Sequence, residues 1–493
     1  SSAFLRYSRL KSFRVPKELK YAQGDDEIGP LVDNPELTIL TGHHVSEDGK
    51  CLVIGTELTD FVGIDLTEYT TPHDVTIIRE YAFSENNTLE KIIISEGVQI
   101  IEDHVFLCNT VSNRLKEVSL PKSLQQIGAH VFSGCNKIEL FSGECDLVSN
   151  DGYSIIIDNY YQGLKGLIKY ASGSSITSYN IPDGVGFLET NAFDSANNLT
   201  HIYFPSSVVL FNGHPFENSY NIQTLSGSNI LIDNKSLVVD NVLLYVAPKG
   251  LNQYRTPQGV TYIGYGALAD KPELEEVVIS DEVIAVGSLA SCRPYEVPLG
   301  YILWDNPNLK TVTISANMRI LGMDPFGVEY QDNLETVYLR APIPPVIAHN
   351  QPEIIPSLFP NLTIFVPEQS LQAYLGSPDW APYRGYIKGY NYTDLPENDT
   401  YISTDYSQDG VVTTLQTATK GNGIDIVLMG DAYSDRQIAD GTYRTDMEYI
   451  YNNLFTEEPY KSFKDHFNVH YVNVVSATEG YEYGNTALDG YFG

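Results

Sequence analysis

Apolar residues return at fixed offsets along most of this chain. Counting from Pro72, Val75 lies three residues on, Ile78 six, Ala82 ten and Phe83 eleven. Pro182 repeats the frame with Val185, Leu188, Ala192 and Phe193, and Pro257 with Val260, Ile263, Ala267 and Leu268. Pro121 leads to Leu124, Ile127, Val131 and Phe132, and Pro205 to Val208, Phe211, Pro215 and Phe216. Ser95 and Ser315 start two further copies, which end on Phe106 and Phe326. Each unit closes on a Leu-x-x-apolar-x-apolar run, as in Leu115/Val118/Leu120, Leu274/Val277/Ile279 and Leu334/Val337/Leu339. Alternation at period two predicts a strand with one buried face. A Pro or Ser then turns the chain, since proline cannot continue a hydrogen-bonded ladder.

The starts Pro182 and Pro205, and Ser95 and Pro121, set a period of about 23 to 26 residues. One such unit cannot bury its apolar face alone, so neighbours must stack into a continuous core. Three insertions interrupt the frame: 46–63, 149–173 and 233–250. Each joins a turn signal to two short apolar runs and predicts a β-hairpin. A fourth insertion, near Arg293–Trp304, spaces two units apart.

At 493 residues the chain is too long for one ordinary core, and 42% hydrophobic content is enough to build several or an array. Acidic residues outnumber basic ones 63 to 30. So negative a surface repels phosphate backbones and anionic lipid heads, which argues against nucleic acid and membrane surfaces as partners. The 35 tyrosines and few methionines suit a β-rich extracellular protein. Five scattered cysteines, Cys51, Cys108, Cys135, Cys145 and Cys292, form no CxxC pair. They read as buried thiols, with a local Cys135–Cys145 pairing left open. No stretch approaches the roughly 20 apolar residues of a membrane-spanning helix. The opening residues read as the middle of a repeat, so a processed or trimmed start is expected.

The frame Pro-x-x-Val-x-x-Ile-x-x-x-Ala-Phe resembles the BspA-like leucine-rich repeats of bacterial surface proteins, over residues from about 13 to 388. The stretch Phe365–Tyr390, with Tyr374 and Trp380, is similar to the closing segment of such arrays: a strand, a short helix and a cover for the last apolar face. The fold expected is therefore an α+β repeat solenoid, leucine-rich-repeat-like, with short strands and inserted β-hairpins, over residues 1–390. A linker at 391–400 and a partial α/β domain at 401–493 follow.

In the tail, Asp409-Gly410 is expected to join strands 401–406 and 411–418 as a hairpin. Ile424–Met429 reads as a buried parallel strand, about 435–455 as a helix and Phe467–Val475 as a second parallel strand. The segment from Gly421 to Tyr443, with the run after it, resembles the N-terminal part of the IgA-peptidase family of zinc metallopeptidases. That resemblance implies a zinc held by a later HExxH helix, with two His on one face and a Glu to activate water. No HExxH occurs in this sequence, so no cofactor is expected in this chain; zinc is expected only with a catalytic portion beyond Gly493. His466 and His470 have the metal-helix spacing but flank a strand-like run and lack the Glu. His43 and His44 are adjacent and reach one metal poorly. Asp431 sits at a strand's end, where a turn or helix-cap role is the simpler reading. Nucleotide-cradling and serine-hydrolase motifs are missing.

The function expected is a noncatalytic, monomeric binding or adhesion module, extracellular or on a bacterial surface, recognising a protein or a glycan. The alternative is the targeting domain of a secreted zinc metallopeptidase. Residues lying between the buried ones of each repeat strand face outward, and the candidate ligand-binding set is His201, Tyr203, Thr311, Thr313, Thr336, Tyr338 and Arg340.

Overall fold

The computed structural model describes residues 10–18, 36–108, 113–287, 303–318, 321, 333–347, 361–393, 403–430, 433–456 and 459–476. The chain divides into two compact units, Ser1–Asn391 and Tyr392–Gly493. The insertion near Arg293–Trp304, apart from its last residues, and most of the 391–400 linker lie outside the described residues, as do Cys292, Phe326 and Asp431.

In the first unit, the Leu-x-x-apolar runs form short parallel strands that pair turn on turn. Ile92 opposes Val118, Ile202 opposes Leu225, and Val277 opposes Val312, which opposes Val337. A second ladder runs beside the first and uses the Ile of the repeat frame. Here Ile78 pairs with Ile101 and Ile101 with Ile127, in strands only two residues long. Between the ladders the repeat phenylalanines stack along the array: Phe83 on Phe106 at 5.2 Å and Phe106 on Phe132 at 5.3 Å. Every one of these positions is buried, which is why the frame tolerates little but large apolar side chains there.

Three antiparallel hairpins stand where insertions were expected: Cys51–Ile54 with Glu57–Phe61, Ser154–Tyr161 with Leu164–Tyr170, and Ser236–Val239 with Val242–Val246. In each, the second strand joins the short-strand ladder, so each hairpin opens a new block of sheet. The turns share chemistry. Ser46 and Ser149 donate to Asp48 and Asp151, and the Asp233 carboxylate takes the amides of Lys235 and Ser236. Hairpin side chains serve cores on both sides: Leu244 and Tyr245 pack into the preceding block, while Leu243 and Val246 pack into the next.

The array closes as a cap must. Thr363–Pro367 and Ile387–Tyr390 extend the sheet by two parallel strands. A short helix, Leu371–Gly376, lies between them with Tyr374 and Trp380 fully buried. The Tyr374 hydroxyl donates to Ala341 O at 2.7 Å and Trp380 Nε1 to Pro345 O at 2.9 Å, so both polar handles are satisfied inside the core. Cys51, Cys108, Cys135 and Cys145 are buried free thiols. The open pairing of Cys135 with Cys145 is not made; Cys135 donates instead to Phe106 O at 3.0 Å.

The second unit departs from expectation in three places. Its sheet has Phe467–Val472 at the centre, parallel to Ile424–Leu428 and antiparallel to Val412–Gln416. The hairpin expected across Asp409-Gly410 is not formed, because residues 403–406 carry no strand and Val412–Gln416 pairs with the later strand. Ser403 Oγ is bound to Ser476 O, which ties the segment before the turn to the chain beyond that strand. Ile424–Leu428 is a parallel strand but not a buried one: Ile424 is 60% exposed and Val427 49%. Being apolar did not bury it: it forms the sheet's edge, and its Ile424 and Val427 side chains are left largely uncovered. The expected single helix is two, Asp435–Ala439 and Thr442–Leu454, broken at Gly441, whose φ of 88° suits glycine. Tyr443, Met447 and Tyr471 form this unit's small core.

Candidate ligand-binding surface

The largest sheet of the array has six parallel strands: Gln253–Arg255, Glu276–Val278, Thr311–Ile314, Thr336–Leu339, Thr363–Pro367 and Ile387–Tyr390. Strand alternation buries one face and presents the other. Register makes two straight rows across the presented face. One runs Gln253, Glu276, Thr311, Thr336, Thr363; the other runs Arg255, Val278, Thr313, Tyr338, Phe365, Lys388.

This sheet brings together four of the sequence-predicted residues, Thr311, Thr313, Thr336 and Tyr338. His201 and Tyr203 lie apart, on the three-stranded sheet of the preceding block, where Tyr203 is exposed. The His201 ring is already engaged, Nδ1 with Thr224 Oγ1 and Nε2 with Ser226 Oγ, both at 2.9 Å. Arg340 corrects the expectation of an outward residue. It follows the strand, its side chain is 12% exposed, and Nε and Nη2 clamp Asp281 at 3.1 and 2.8 Å. Asp281 in turn accepts from the Ala316 amide at 2.7 Å, so the pair pins neighbouring turns. Arg340→Ala should therefore lower stability by about 1–3 kcal/mol, by leaving a half-covered carboxylate without its partner. Urea unfolding checks this, and a loss restored by a second change, Asp281→Asn, would identify the ion pair as the cause.

Two residues missing from the predicted set complete the face. Tyr338 and Phe365 stack at 5.3 Å with planes 17° apart, and Tyr390 meets both edge-on at 5.5 Å. Phe365 and Tyr390 belong to the cap segment, where the repeat frame gives no outward register to read.

The three-stranded sheet of the preceding block presents a similar polar face, Ser178, His201 and Thr224 in one row and Asn180, Tyr203 and Ser226 in the next, but the first block differs. In the first block the equivalent row is Glu68, Lys91, Glu117, with Lys91 and Glu117 paired at 3.1 Å.

A second cluster of chemistry lies inside the array. His214 Nδ1 is 3.1 Å from Asp270 Oδ2, out of line for a directed hydrogen bond, and both side chains are almost fully buried. Lys271 donates to Ala269 O and sits 4.9 Å over the Tyr245 ring. Burial pushes Lys271 down to about 7, with Asp270 pulling the other way. Burial, reinforced by Asp194 and Asp270, pushes Glu217 up to about 7. His214 is held below its ordinary value by burial, against the pull of Asp270. Tyr220 bridges Asn218 Oδ1 and Asp305 Oδ2 at 2.9 and 3.1 Å, and burial followed by Asp270 raises Asp305. Lys271 is wholly enclosed, so no substrate reaches it.

His466 and His470, which have the metal-helix spacing, do not form a zinc site among the described residues. His466 ends a 3₁₀ turn and His470 lies in the following strand, hydrogen-bonded through Nδ1 to Thr414 Oγ1 at 2.9 Å. Among the described residues no group of three His, Cys, Asp or Glu is placed to hold a metal. No helix among them is long and apolar enough to cross a membrane.

Among solved structures, the chain is similar to a leucine rich cell surface protein of Faecalibacterium prausnitzii, with 14% identity, a TM-score of 0.40, and 78% of this chain and 89% of that chain covered. It is similar also to the pneumococcal vaccine antigen PcpA, with 16% identity, a TM-score of 0.33 and coverage of 77% and 88%. A leucine-rich repeat protein of Eubacterium ventriosum gives 16% identity, a TM-score of 0.36 and coverage of 61% and 78%. No curated protein sequence matches. The repeat frame itself does match: residues 56–150 and 169–293 fit the BspA type leucine rich repeat region in six copies, and this part of the chain is a BspA-type leucine-rich-repeat array.

Proposed function

We propose that the chain is a noncatalytic binding module working outside the cell, on a bacterial surface or in secretion, with its ligand on the six-stranded sheet of the array. The observation that carries this is the presented face of that sheet, where register aligns two rows of side chains, one across five strands and one across all six. Stacked repeats of this kind build extended binding surfaces rather than enclosed pockets. The BspA-type array supports the extracellular setting. So does the acidic balance of 63 to 30, which keeps the chain away from nucleic acid and anionic lipid. The ligand class is a protein or a glycan, and the module acts as a monomer.

A second reading has the array deliver a secreted zinc metallopeptidase. The parallel strand–helix–strand unit from Ile424 to Val472 favours it, being the opening of an α/β sheet. Among the described residues no group of three His, Cys, Asp or Glu is placed to hold that zinc.

Labelled full-length chain applied to cultured epithelial cells tests the first reading. Binding should saturate and be displaced by unlabelled chain. The double variant Thr336→Arg/Tyr338→Arg should lower affinity by at least about tenfold, roughly 1.4 kcal/mol. Unsaturable binding, or saturable binding indifferent to that variant, would overturn the assignment of this face.

A further inference from the structure

The rows across the middle of the six-stranded face hold no charged side chain. The formal net charge of the chain is −33. Yet between its first two strands and its last, the two rows hold only Thr311, Thr336, Thr363, Thr313, Tyr338 and Phe365. An anionic ligand would meet the repulsion of the whole chain. A cationic one would look for carboxylates on the face, and the rows supply a single one, Glu276, against the cations Arg255 on the first strand and Lys388 on the last. The chemistry that complements this surface is uncharged.

It is also hydroxyl-rich and unspent. Among the described residues, none of the Thr311, Thr313, Thr336 or Thr363 hydroxyls makes a hydrogen bond within the protein, whereas on the neighbouring sheet His201 ties up Thr224 and Ser226. Each free hydroxyl can donate once and accept twice, as sugar hydroxyls do. At the far end, Tyr338 and Phe365 lie stacked with planes 17° apart, and Tyr390 stands edge-on to both. Where such a ring presents its face, the negative π-cloud attracts the polarised C–H groups on the flat side of a pyranose. Successive strands are about 4.8 Å apart. That is close to the length of one sugar ring, so a chain laid across the strands meets one rung per sugar. Protein interfaces draw their energy from Trp, Tyr and Arg, with Thr and Val under-represented. A threonine field with Arg340 turned away to Asp281 is a poor match for that pattern.

We propose that this face binds an uncharged linear polysaccharide lying across the strands, its hydroxyls on the threonine rows and its ring faces on the aromatic corner of Tyr338, Phe365 and Tyr390. The proposal rests on the reading above that this sheet is the binding face, and it names the ligand class.

Calorimetric titration of the full chain with neutral oligosaccharides tests it, using six-sugar fragments of cellulose, xylan, mannan and laminarin, with a polygalacturonate fragment as the charged control. At least one neutral fragment should bind saturably and displace the chain from cells, and the charged control should not bind. Phe365→Ala and Tyr390→Ala should each weaken binding by about tenfold or more, and Thr336→Val by a smaller factor. Tyr390 is 41% exposed on the last strand, so that variant keeps the test open should Phe365→Ala fail to fold. Binding of the neutral fragments that ignores both aromatic changes would overturn the proposal. So would a complete lack of neutral-fragment binding while Thr336→Arg/Tyr338→Arg still abolishes cell binding; the face would then stand as a site for protein. Cell binding indifferent to that double variant would remove the face, and this proposal with it.

Discussion

Phe216→Ala should lower stability by about 3–5 kcal/mol, the usual cost of emptying a buried phenylalanine site, and should split the unfolding of the array into two transitions. Phe216 is 1% exposed and sits where two blocks meet. Its ring stacks on Phe193 at 4.9 Å and on Tyr245 at 4.3 Å, with Phe204 and Phe211 at 6.1 and 5.9 Å. Tyr245 belongs to the hairpin strand Val242–Val246, which opens the following block. In a stacked array, stability is close to a sum of unit terms and nearest-neighbour terms. Removing this ring weakens one neighbour term far more than any unit, so the two halves lose their reason to melt together. Tyr203→Ala, on the exposed face, should shift stability by no more than about 0.5 kcal/mol. Calorimetry and urea unfolding followed by tyrosine fluorescence check both. A single transition with a loss below about 1 kcal/mol would mean that the hairpin, not the aromatic stack, couples the blocks.

The positions that repeat in the sequence are those whose side chains meet the shared core, and that is why they were legible. Val75, Ile78 and Phe83 each face the same neighbours in the next turn, so selection for packing imposes one residue type at one offset. The short-strand ladder was not legible as strand, because two residues such as Ile100 and Ile101 cannot display an alternation. Outward residues carry no such constraint: Thr311 and Thr336 follow from a neighbouring buried Val, but Phe365 and Tyr390 fall in the cap, where the frame stops. Arg340 pairs with a residue 59 positions away, and an ion pair across turns leaves no mark in local pattern. In the second unit, an apolar run from Ile424 reads alike whether another element covers it or not. Burial depends on what packs against a strand, which its own sequence does not state.

The internal ionic cluster should make stability depend on pH with two opposite slopes that meet near neutrality. Lys271 has an ordinary value of 10.5, lowered by burial to about 7. Between those values the unfolded chain holds the proton and the folded one does not, so stability rises with pH across that window. Below pH 7 the full cost of burying the ammonium is present in the folded state. Glu217 runs the other way: its value climbs from 4.5 to about 7. Across that interval the folded chain holds the extra proton, and stability falls as pH rises. Each unit of displacement is worth about 1.4 kcal/mol at most, so each slope amounts to a few kcal/mol. The groups facing Lys271 are Asp270, whose charge favours the ammonium, and the Tyr245 ring beneath it. Lys271→Met keeps the stem's volume and removes the buried charge, an exchange that is often neutral or stabilising. The Ala269 carbonyl loses a donor, which offsets part of the gain. The difference in urea midpoint between Lys271→Met and the unaltered chain should be largest below pH 7 and shrink steadily above it. For Glu217→Gln the difference should instead grow from pH 4.5 to 7 and stay level beyond. Taking differences removes the titration of every group the two chains share. A Lys271→Met difference that stays constant across the range would mean that the lysine keeps its ordinary proton affinity in the folded chain, its charge compensated by Asp270.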